Sequence, residues 1–477
     1  MAPYAAAVPA DAPTVELLCA ADAEERQRRA AGALAARGLG GGDRVAFALG
    51  SSADLICAVL GAARVGIVPV LLNATLTEHE RDALAADADP VLRVFDRAEL
   101  AALVHGDAPP AELAPYPLTR SMHYTSGTTG RPKGVTTGLW DEDTARAVFE
   151  DEADVWHFEP DDLHLVCSPM YHTVSIRFCT GTLLSGGSLA ILGRFDAATA
   201  LRVLRRQRPT TAFLVPTHLQ RIMQLDELEP DERFDSLRLL VHAGAPCPES
   251  LKRAVMARAR PNAVWEFYGS TEAQFTVCSP ADWLEHPGTV GRARSGRRLF
   301  VEPLDDDADT TAGDDSGTIW ADLPEFARFS YWRNEEATRS AWNGTACTIG
   351  DLGRLGQDSF LYLSGRRHDL IISGGVNVYP AEVENVLAAV EGVHEVAVFG
   401  LPDEQWGQRV CVAYVAQRPG AEEALRAAAS AHLAPYKRPK TYVATDDLPH
   451  TATGKLRRGA VAGHLGLAGG TDTGIAG

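Results

Sequence analysis

The sequence predicts an α/β protein with mainly parallel sheets, followed near the C-terminus by a smaller α+β unit. Short apolar runs typical of buried strands alternate with amphipathic segments as far as Gly291, which favours parallel sheets joined by crossover helices. Beyond Gly291 the runs become shorter and favour antiparallel strands, and a separate unit begins at Asp369. A chain of 477 residues exceeds what one hydrophobic core usually covers, so at least two domains are expected.

The individual elements follow in chain order. DRVAFAL is predicted as a strand, ADLICAVLGAARVG as a helix, and IVPVLL as a buried strand after a turn at Gly66. Further strands are predicted at LHLVCS, SLAILG, TAFLVP, LRLLVHAG and AVWEFYG, with helices at AATALRVLRRQRP and ESLKRAVMARAR. GTIWADL and FLYLSG are predicted as antiparallel strands. The last unit combines the strands LIIS, HEVAVFGLP, RVCVAYVAQ and TYVAT with helices at PAEVENVLAAV and EEALRAAASAHL.

Charge and cysteine content narrow the class of protein. A net charge of −18 argues against a nucleic-acid or anionic-membrane partner, because a long-range repulsive field would oppose binding. The eight cysteines form no CxxC pair, so neither a zinc ribbon nor a disulfide framework is indicated. No secretory signal is predicted, and the apolar window 55–74 holds Arg64 at its centre, unlike a spanning helix. We therefore expect a soluble, cytoplasmic protein.

The most unusual stretch is YTSGTTGRPKGV, at positions 124–135. It offers hydroxyls, backbone N–H groups and one ammonium, which together suit a polyphosphate ligand. It is not a Walker A loop, because GxxxxGK followed by Ser or Thr does not occur in it. For a bare Gly/Thr run, a polar surface loop is the alternative interpretation.

Lysine is rare in this chain, and its few positions indicate function. Of 45 basic residues only Lys133, Lys252, Lys437, Lys440 and Lys455 are lysines. A lysine is a compact point charge, whereas arginine is a planar fork, so each retained lysine needs a reason. Lys133 ends the candidate phosphate loop, and Lys455 lies in LPHTATGKLRR. Lys252, at the start of a helical segment, is interpreted as ordinary surface.

Ten short motifs occur in the order seen in one protein family. They are YTSGTTGRPKG, SPMYHT, VPTHLQ, HAGAPCP, EFYGSTEA, IGDLGRL, GRRHDLIISGGVNVYPAEVENVL, WGQRV, YKRPK and TATGKLRR. By these motifs the chain resembles the adenylate-forming superfamily, in particular small acyl-CoA and aryl-CoA synthetases of the 4-chlorobenzoate–CoA ligase type. The resemblance implies a large N-terminal domain over residues 1–366, made of two layered αβ subdomains plus a distorted β-barrel. It also implies a small mobile α+β domain over 367–465, and we expect a disordered tail at 466–477.

The resemblance implies ATP-dependent activation of a carboxylic acid to an acyl-adenylate with release of pyrophosphate, then thioester formation with CoA. ATP, Mg²⁺, CoA and a small-molecule acid would be the ligands, and a homodimer is the family-level expectation. The motifs leave open an enzyme with a non-CoA acceptor, such as a stand-alone carrier protein, or one that activates nitrite for diazotisation of an aryl amine. A non-catalytic nucleotide-binding relative is a further alternative, against which Lys455, Glu272 and Asp351 argue. The acid itself stays open.

The resemblance also implies roles for individual residues. Lys455 would stabilise the charge that develops at the α-phosphate, and Glu272 would hold Mg²⁺. Thr271 would contact the α-phosphate, and His172 would act as a gate beside the adenylate. The nucleotide would be bound by Thr125, Ser126, Gly127, Thr128, Thr129, Gly130, Lys133, Gly244, Ala245, Tyr268, Asp351 and Arg366.

The same resemblance implies a CoA site, an acid pocket and a hinge. CoA would contact Gly374, Gly375, Trp406, Arg438 and Lys440. The acid pocket would be lined by His172, Val174, Ser175, Arg177, Phe178, Gly244, Gly269 and Gln274. A buried Arg177 needs a partner, either a second polar group on the substrate or a protein carboxylate. His368 stands at the hinge, where the family usually has an acidic residue or Lys. Taken singly, Asp351 also fits a turn, Tyr268 a core aromatic, and Glu272 a helix N-terminus.

Overall fold

The computed structural model describes most of the chain. The described residues are 15–125, 132–303, 316–356, 358–366, 369–373, 376–403, 406–433, 435–450 and 456–467. Within them, helices and strands alternate in the predicted order as far as the turn at Gly291, and antiparallel strands follow. The predicted fold class is therefore confirmed.

The first half of the chain alternates helices with short strands. The elements up to residue 156 are β1 Val15–Cys19, α1 Ala20–Ala36, β2 Arg44–Phe47, α2 Ala53–Arg64, β3 Val68–Leu71, α3 Glu78–Ala88, β4 Leu92–Val94, α4 Arg97–His105, β5 Met122–Thr125, β6 Lys133–Thr136 and α5 Glu142–Trp156. Those that follow are β7 Leu163–Val166, α6 Thr173–Leu184, β8 Ser188–Leu192, α7 Ala197–Arg206, β9 Thr211–Phe213, α8 Pro216–Met223, β10 Leu239–His242, α9 Glu249–Arg258 and β11 Val264–Glu266.

The remaining part is richer in strands. It continues with β12 Thr276–Val277, α10 Pro280–Glu285, β13 Arg292–Ala293, β14 Arg298–Pro303, β15 Gly317–Asp322, β16 Ser330–Tyr331, α11 Glu335–Ala341, β17 Trp342–Asn343, β18 Ala346–Cys347, β19 Asp351–Leu355 and β20 Leu361–Arg366. A 3-10 turn spans Glu325–Ala327. The last elements are β21 Ile371–Ser373, β22 Val376–Val378, α12 Pro380–Leu387, β23 Val393–Asp403, β24 Gly407–Ala416, α13 Ala421–His432, β25 Thr441–Ala444 and α14 Arg458–His464.

Two six-stranded sheets carry the first half of the fold. One has the order β16-β6-β5-β3-β2-β4 and the other β1-β8-β7-β9-β10-β11. Their inner pairs are parallel, and antiparallel pairing is confined to β1 with β8 and to β6 with its two neighbours. Helices α1, α2 and α6 join the sheets through one apolar cluster that includes Phe47, Ile56 and Ile191. Burying this cluster between the layers removes apolar surface from water and so fixes the two sheets against each other.

The later strands form two further sheets. One has the order β17-β18-β15-β19-β20, with β14 on the other edge of β15, and its pairs are antiparallel. Where a distorted barrel was predicted, this sheet is open within the described residues. The other runs β22-β21-β24-β23, with β25 parallel to β24, and has its own core around Val398, Val412 and Leu425.

The buried residues Arg64 and Lys252 bear on two predictions, that the window 55–74 does not span a membrane and that Lys252 lies on the surface. Arg64 ends α2, just before Gly66 turns the chain with a φ of 78°, and its guanidinium donates to Ala114 O and to Glu24. In the described residues, no helix is long and apolar enough to cross a membrane. The interpretation of Lys252 as ordinary surface is wrong, because its side chain is buried and its Nζ lies 2.5 Å from Glu266.

Candidate active site

A tight hairpin after β11, the loop Gly269–Gln274, organises the site. Gly269 and Gln274 pair as an antiparallel bridge, and the Ser270 amide donates to Ala273 O at 2.8 Å. A Cβ at position 269 would lie 2.4 Å from Ala273 O, so this turn requires glycine. The hairpin thereby holds Thr271 and Glu272 at its tip, where two faces of the site meet.

On one face of the hairpin lies the buried carboxylate of Glu272. Its Oε2 accepts from Ser270 Oγ at 2.6 Å, and its Oε1 accepts from the Tyr331 hydroxyl at 2.9 Å. Burial, together with the negative charge of Glu272, raises the pKa of Tyr331, so the phenol stays protonated and donates. Each carboxylate oxygen keeps a second lone pair for a further ligand.

The ends of the predicted phosphate loop reach the same face. Thr125 ends β5 and Lys133 begins β6, and the two residues lie opposite each other in the antiparallel pair. The Lys133 ammonium sits 5.0 Å from the centre of the Tyr331 ring, which in turn bonds Glu272. Five predicted loop residues lie outside the described residues, namely Ser126, Gly127, Thr128, Thr129 and Gly130.

The proposed ribose and adenine residues are also close together. The buried Tyr268 donates its hydroxyl to Asp351 Oδ2 at 2.8 Å. Asp351 opens β19 and pairs in backbone register with Arg366 of β20. Gly244, with a φ of 88°, follows β10 with Ala245 beside it. The structure therefore brings Tyr268, a predicted adenine contact, to the predicted ribose carboxylate.

Helix α6 and the residues before it hold most of the predicted acid pocket. His172 precedes the helix, with its ring 4.4 Å from that of Tyr171. Ser175 Oγ donates to Ser168 O at 3.0 Å. Phe178 is buried among the aromatic rings that also contact Trp156, and Val174 packs against the same cluster. The side chains of Ser175, Val174 and Phe178 therefore contribute to the protein interior.

The other face of the hairpin borders a small polar cavity, which we call the arginine cavity. Its lining includes Arg120, Arg177, Arg294, Arg297, Glu152, Thr173, Ser270, Thr271 and Gln274. Its volume is about 20 Å³, little more than one ordered water requires. Of the predicted pocket residues, Arg177 and Gln274 line this cavity.

Two carboxylates of helix α5 hold the arginines in place. Arg177 donates to both oxygens of Glu152, at 2.7 and 2.6 Å, and Arg294 donates to Glu152 at 3.0 Å. Asp151 accepts from Arg294 and from both terminal nitrogens of Arg297 at 2.9 Å. Burial alone raises the pKa of Glu152, but the two arginines outweigh it and hold the pKa well below its usual range. The protein carboxylate that was one of two predicted partners of Arg177 is thus Glu152.

Comparison with models of known protein families identifies the family of this chain. Residues 16–115 and 119–331 match the model described as AMP-binding enzyme, and residues 382–455 match the model of the AMP-binding enzyme C-terminal domain. The chain belongs to the AMP-binding enzyme family. The predicted membership of the adenylate-forming superfamily is therefore confirmed.

Relatives of this AMP-binding enzyme carry names that agree with the predicted chemistry. A long-chain-fatty-acid–CoA ligase of Mycobacterium tuberculosis is 32% identical, covering 90% of this chain and 89% of the relative. A 2-succinylbenzoate–CoA ligase of a Geobacillus species is 32% identical, with coverages of 89% and 88%. The solved o-succinylbenzoate CoA synthetase of Bacillus subtilis, in complex with its acyl-adenylate intermediate, is 28% identical with a TM-score of 0.80 and 92% coverage of each chain. These relatives confirm the prediction of an AMP-forming acid–CoA ligase.

The C-terminal unit of the AMP-binding enzyme carries the predicted CoA residues. Lys440 Nζ lies 4.2 Å from the centre of the Trp406 ring, and both side chains reach the surface. The Arg438 guanidinium donates instead to the backbone carbonyls of Ser430 and Leu433 at the end of α13. The predicted residues Lys455, Gly374, Gly375 and His368 lie outside the described residues.

Sequence reasoning missed most of the arginine cavity. Arg120, Asp151, Glu152, Arg294 and Arg297 come from three separate segments and match no common motif. One signal was present, because GRARSGRR at 291–298 concentrates four arginines in eight residues. Nothing in that run indicates that Arg294 and Arg297 point inward rather than to solvent.

Proposed function

We propose that this AMP-binding enzyme joins a compact carboxylic acid to CoA through an acyl-adenylate, with both half-reactions centred on the Gly269–Gln274 hairpin. The observation that supports this most directly is the position of the hairpin. Glu272 connects through Tyr331 to Lys133 on one face, while Thr271 and Gln274 border the arginine cavity on the other. Such a placement would put the phosphates and the acid on adjacent sides of one rigid turn.

The nucleotide would occupy the Lys133 face. The β- and γ-phosphates would be held by residues 125–130 and Lys133, and Thr271 would contact the α-phosphate. Asp351 would accept from the ribose hydroxyls, with Arg366 as its partner, and Tyr268 would pack against adenine beside Gly244 and Ala245.

Mg²⁺ fits the donor set at Glu272. In the described residues, no group of three or more acidic, His or Cys side chains comes together to hold a metal. Mg²⁺ in nucleotide sites needs only one or two protein carboxylates beside the substrate phosphates, and Glu272 offers such a carboxylate. The ion would neutralise charge on the phosphates when bound. Glu272 itself is held in place by Ser270 and Tyr331, whatever its ligand.

The chemistry would proceed in two displacements. A carboxylate oxygen of the acid attacks the α-phosphorus of ATP, and pyrophosphate leaves, with Lys455 stabilising the added negative charge. The CoA thiol then attacks the acyl carbon after losing its proton, and AMP leaves. Residues 367–465 would move about His368 between the two steps. Trp406, Lys440 and the loop at 374–375 would then lie near CoA, with Arg438 mainly supporting the end of α13.

The size of the arginine cavity favours a compact acid. About 20 Å³ beside Thr271, lined mainly by charged and polar side chains, suits a small polar group better than an alkyl chain. A preference for long-chain fatty acids, which one relative's name describes, would need a wider opening. His172, at the start of α6, would form the gate between this pocket and the thiol route.

The test is pyrophosphate release from ATP across a panel of acids, each with and without CoA. The panel includes a long-chain fatty acid, 2-succinylbenzoate, short monoacids and diacids, and nitrite with an aryl amine. We expect release that depends on a carboxylic acid, with a thioester formed when CoA is present. Release without any thioester would remove CoA as the acceptor, and nucleotide binding without release would indicate a non-catalytic relative.

A lysine variant tests the assignment of the two steps. Lys455→Ala should lower acid-dependent pyrophosphate release by at least about a hundredfold, because a positioned cation stabilises the transition state. Thioester formation from a preformed acyl-adenylate should change little. Arg457→Gln, which removes an exposed charge two residues away, serves as the control. Equal losses in both half-reactions would contradict the assignment of Lys455 to adenylation.

A further inference from the structure

The charges around the arginine cavity do not balance. Four guanidinium groups line it, whereas two carboxylates, Asp151 and Glu152, bond to them in the described residues. This leaves two positive charges in excess at the cavity. A buried charge is costly unless it is paired, so an excess of this kind indicates an anion that binds from outside.

Several of the cavity's donors also have no acceptor. Within the part of the chain that the structure describes, the Arg120 guanidinium makes no hydrogen bond or ion pair. It lies 6.0 Å from the centre of the Trp140 ring, and Glu152 and Asp151 attract it only at longer range. Nε of Arg294 and Nε of Arg297 are buried without a hydrogen-bond partner, and the Arg294 side chain is only 1% exposed. Burial lowers the pKa of Arg120 to about 10 and repulsion from Arg177 adds to this, yet the group remains a cation at neutral pH. Unsatisfied buried donors are rare in native proteins, and here two lie together at one cavity.

We propose that the arginine cavity binds a second carboxylate of the acid substrate, so that the enzyme activates a compact dicarboxylic acid. One carboxylate would be adenylated near Thr271, and the other would accept from Arg120 and from the free Nε–H groups of Arg294 and Arg297. The inference rests on the proposed function, because it takes the cavity as the far end of the acid pocket.

The reacting carboxylate is a poorer occupant of the same cavity. Charge-assisted hydrogen bonds from several arginines would stabilise that carboxylate in the ground state and reduce its nucleophilicity. A carboxylate that stays unchanged through both steps gains affinity and orientation from the same contacts without this cost. The arginines therefore suit the group that does not react.

The first experiment compares diacids with their half-esters in the full-length enzyme. Succinate, glutarate and adipate are each assayed beside their monomethyl esters for pyrophosphate release and CoA thioester formation. The ester keeps the chain length and removes the second charge. We expect kcat/KM for at least one diacid to exceed that of its ester by about tenfold to a hundredfold, the range for a lost charged hydrogen bond. Half-esters or simple monoacids that react as well as every diacid would overturn the proposal while leaving the ligase function intact.

A variant of Arg120 then locates the effect. Arg120→Gln should raise KM for the preferred diacid about tenfold or more, with KM for the half-ester nearly unchanged, and Arg120→Lys should recover part of the loss. Arg93→Gln, at an exposed position of β4, removes the same charge elsewhere and should have no such effect. An equal loss for diacid and half-ester would mean that Arg120 serves the reacting carboxylate or the fold, and would overturn the proposal. If no acid releases pyrophosphate, the proposed function itself fails first.

Discussion

Two buried groups of charges in this enzyme differ in their balance. At Lys252, one ammonium meets one carboxylate, Glu266, at 2.5 Å, with the Trp283 ring 4.6 Å from the ammonium. His242 lies 3.9 Å from the same carboxylate and is neutral, since burial lowers its pKa to about 4. The arginine cavity instead sets four cations against Asp151 and Glu152, whereas buried nitrogens without a hydrogen-bond partner occur in both groups.

The difference separates a structural ion pair from a candidate binding site. Lys252 and Glu266 satisfy each other, and the aromatic ring covers what remains, so nothing is left for a ligand to neutralise. Around Arg120 and Arg177 the protein supplies only part of the counter-charge. Burial alone is therefore a weak sign of function, whereas burial combined with an unbalanced charge is a stronger one.

The largest expected effect follows from breaking the balanced pair. Lys252→Met leaves Glu266 buried without its cation, and we expect a loss of about 3–5 kcal/mol in the free energy of unfolding. Urea denaturation followed by circular dichroism measures it. The double variant Lys252→Met with Glu266→Leu should recover most of the loss. Arg253→Met, which breaks an exposed i,i+4 pair with Glu249, should stay within about 0.5 kcal/mol. If Lys252→Met were as stable as the parent, the Lys252–Glu266 pair would not be the balanced structural pair that distinguishes it from the arginine cavity.

A second prediction affects the arginine cavity and leaves the balanced pair alone. Gly269→Ala places a Cβ 2.4 Å from Ala273 O and must shift the hairpin that carries Thr271 and Gln274. We expect kcat/KM for adenylation to fall about a hundredfold, as for a displacement of about 1 Å at a reacting centre. Gly40→Ala is the control, because its Cβ meets no atom within 4 Å. Unchanged adenylation kinetics in Gly269→Ala would show that the hairpin does not position the reactants.

The last prediction, a gradual change in stability with pH, concerns the neutral His242. In the unfolded chain this imidazole binds a proton below about pH 6.5, whereas in the folded protein it stays neutral down to about pH 4. Its contribution to stability is therefore complete above pH 6.5 and is lost as the pH falls towards 4, by about 1.4 kcal/mol per pH unit. His242→Asn should flatten the pH dependence of the unfolding free energy by that amount.

The His242 experiment compares how steeply the unfolding free energy changes with pH in the variant and in the parent. The unfolding free energy at a single pH is not informative, because the substitution also changes packing. The buried His123, His164 and His218 have pKa values lowered to about 4 for the same first reason, burial, and should contribute in the same direction. A slope equal to that of the parent would mean that His242 is protonated in the folded state. The Lys252 group would then carry an excess cation of its own, and it would differ less from the arginine cavity in charge balance.

The sequence by itself determined the fold class, the order of the elements and the residues proposed for one face of the candidate site. The alternation of apolar runs predicted β2, α2, β3 and the strands that follow, because period and burial are local properties of a sequence. The collinear motifs predicted the face that carries Glu272 and Lys133. Each of its two segments, the stretch that ends at Lys133 and the Gly269–Gln274 hairpin, is a short continuous run with glycines at fixed positions, which a sequence motif can reveal.

Tertiary structure alone decided which charges meet. Lys252 reads as a surface residue until α9 packs against β11 and brings Glu266 to it. Arg120, Glu152 and Arg294 become neighbours only when β5, α5 and the segment after β13 converge on the hairpin. A long-range meeting of this kind leaves no local period or spacing in the sequence. Which distant side chains meet depends on the sum of all packing contacts in the folded protein. The order of residues along the chain does not specify those distances.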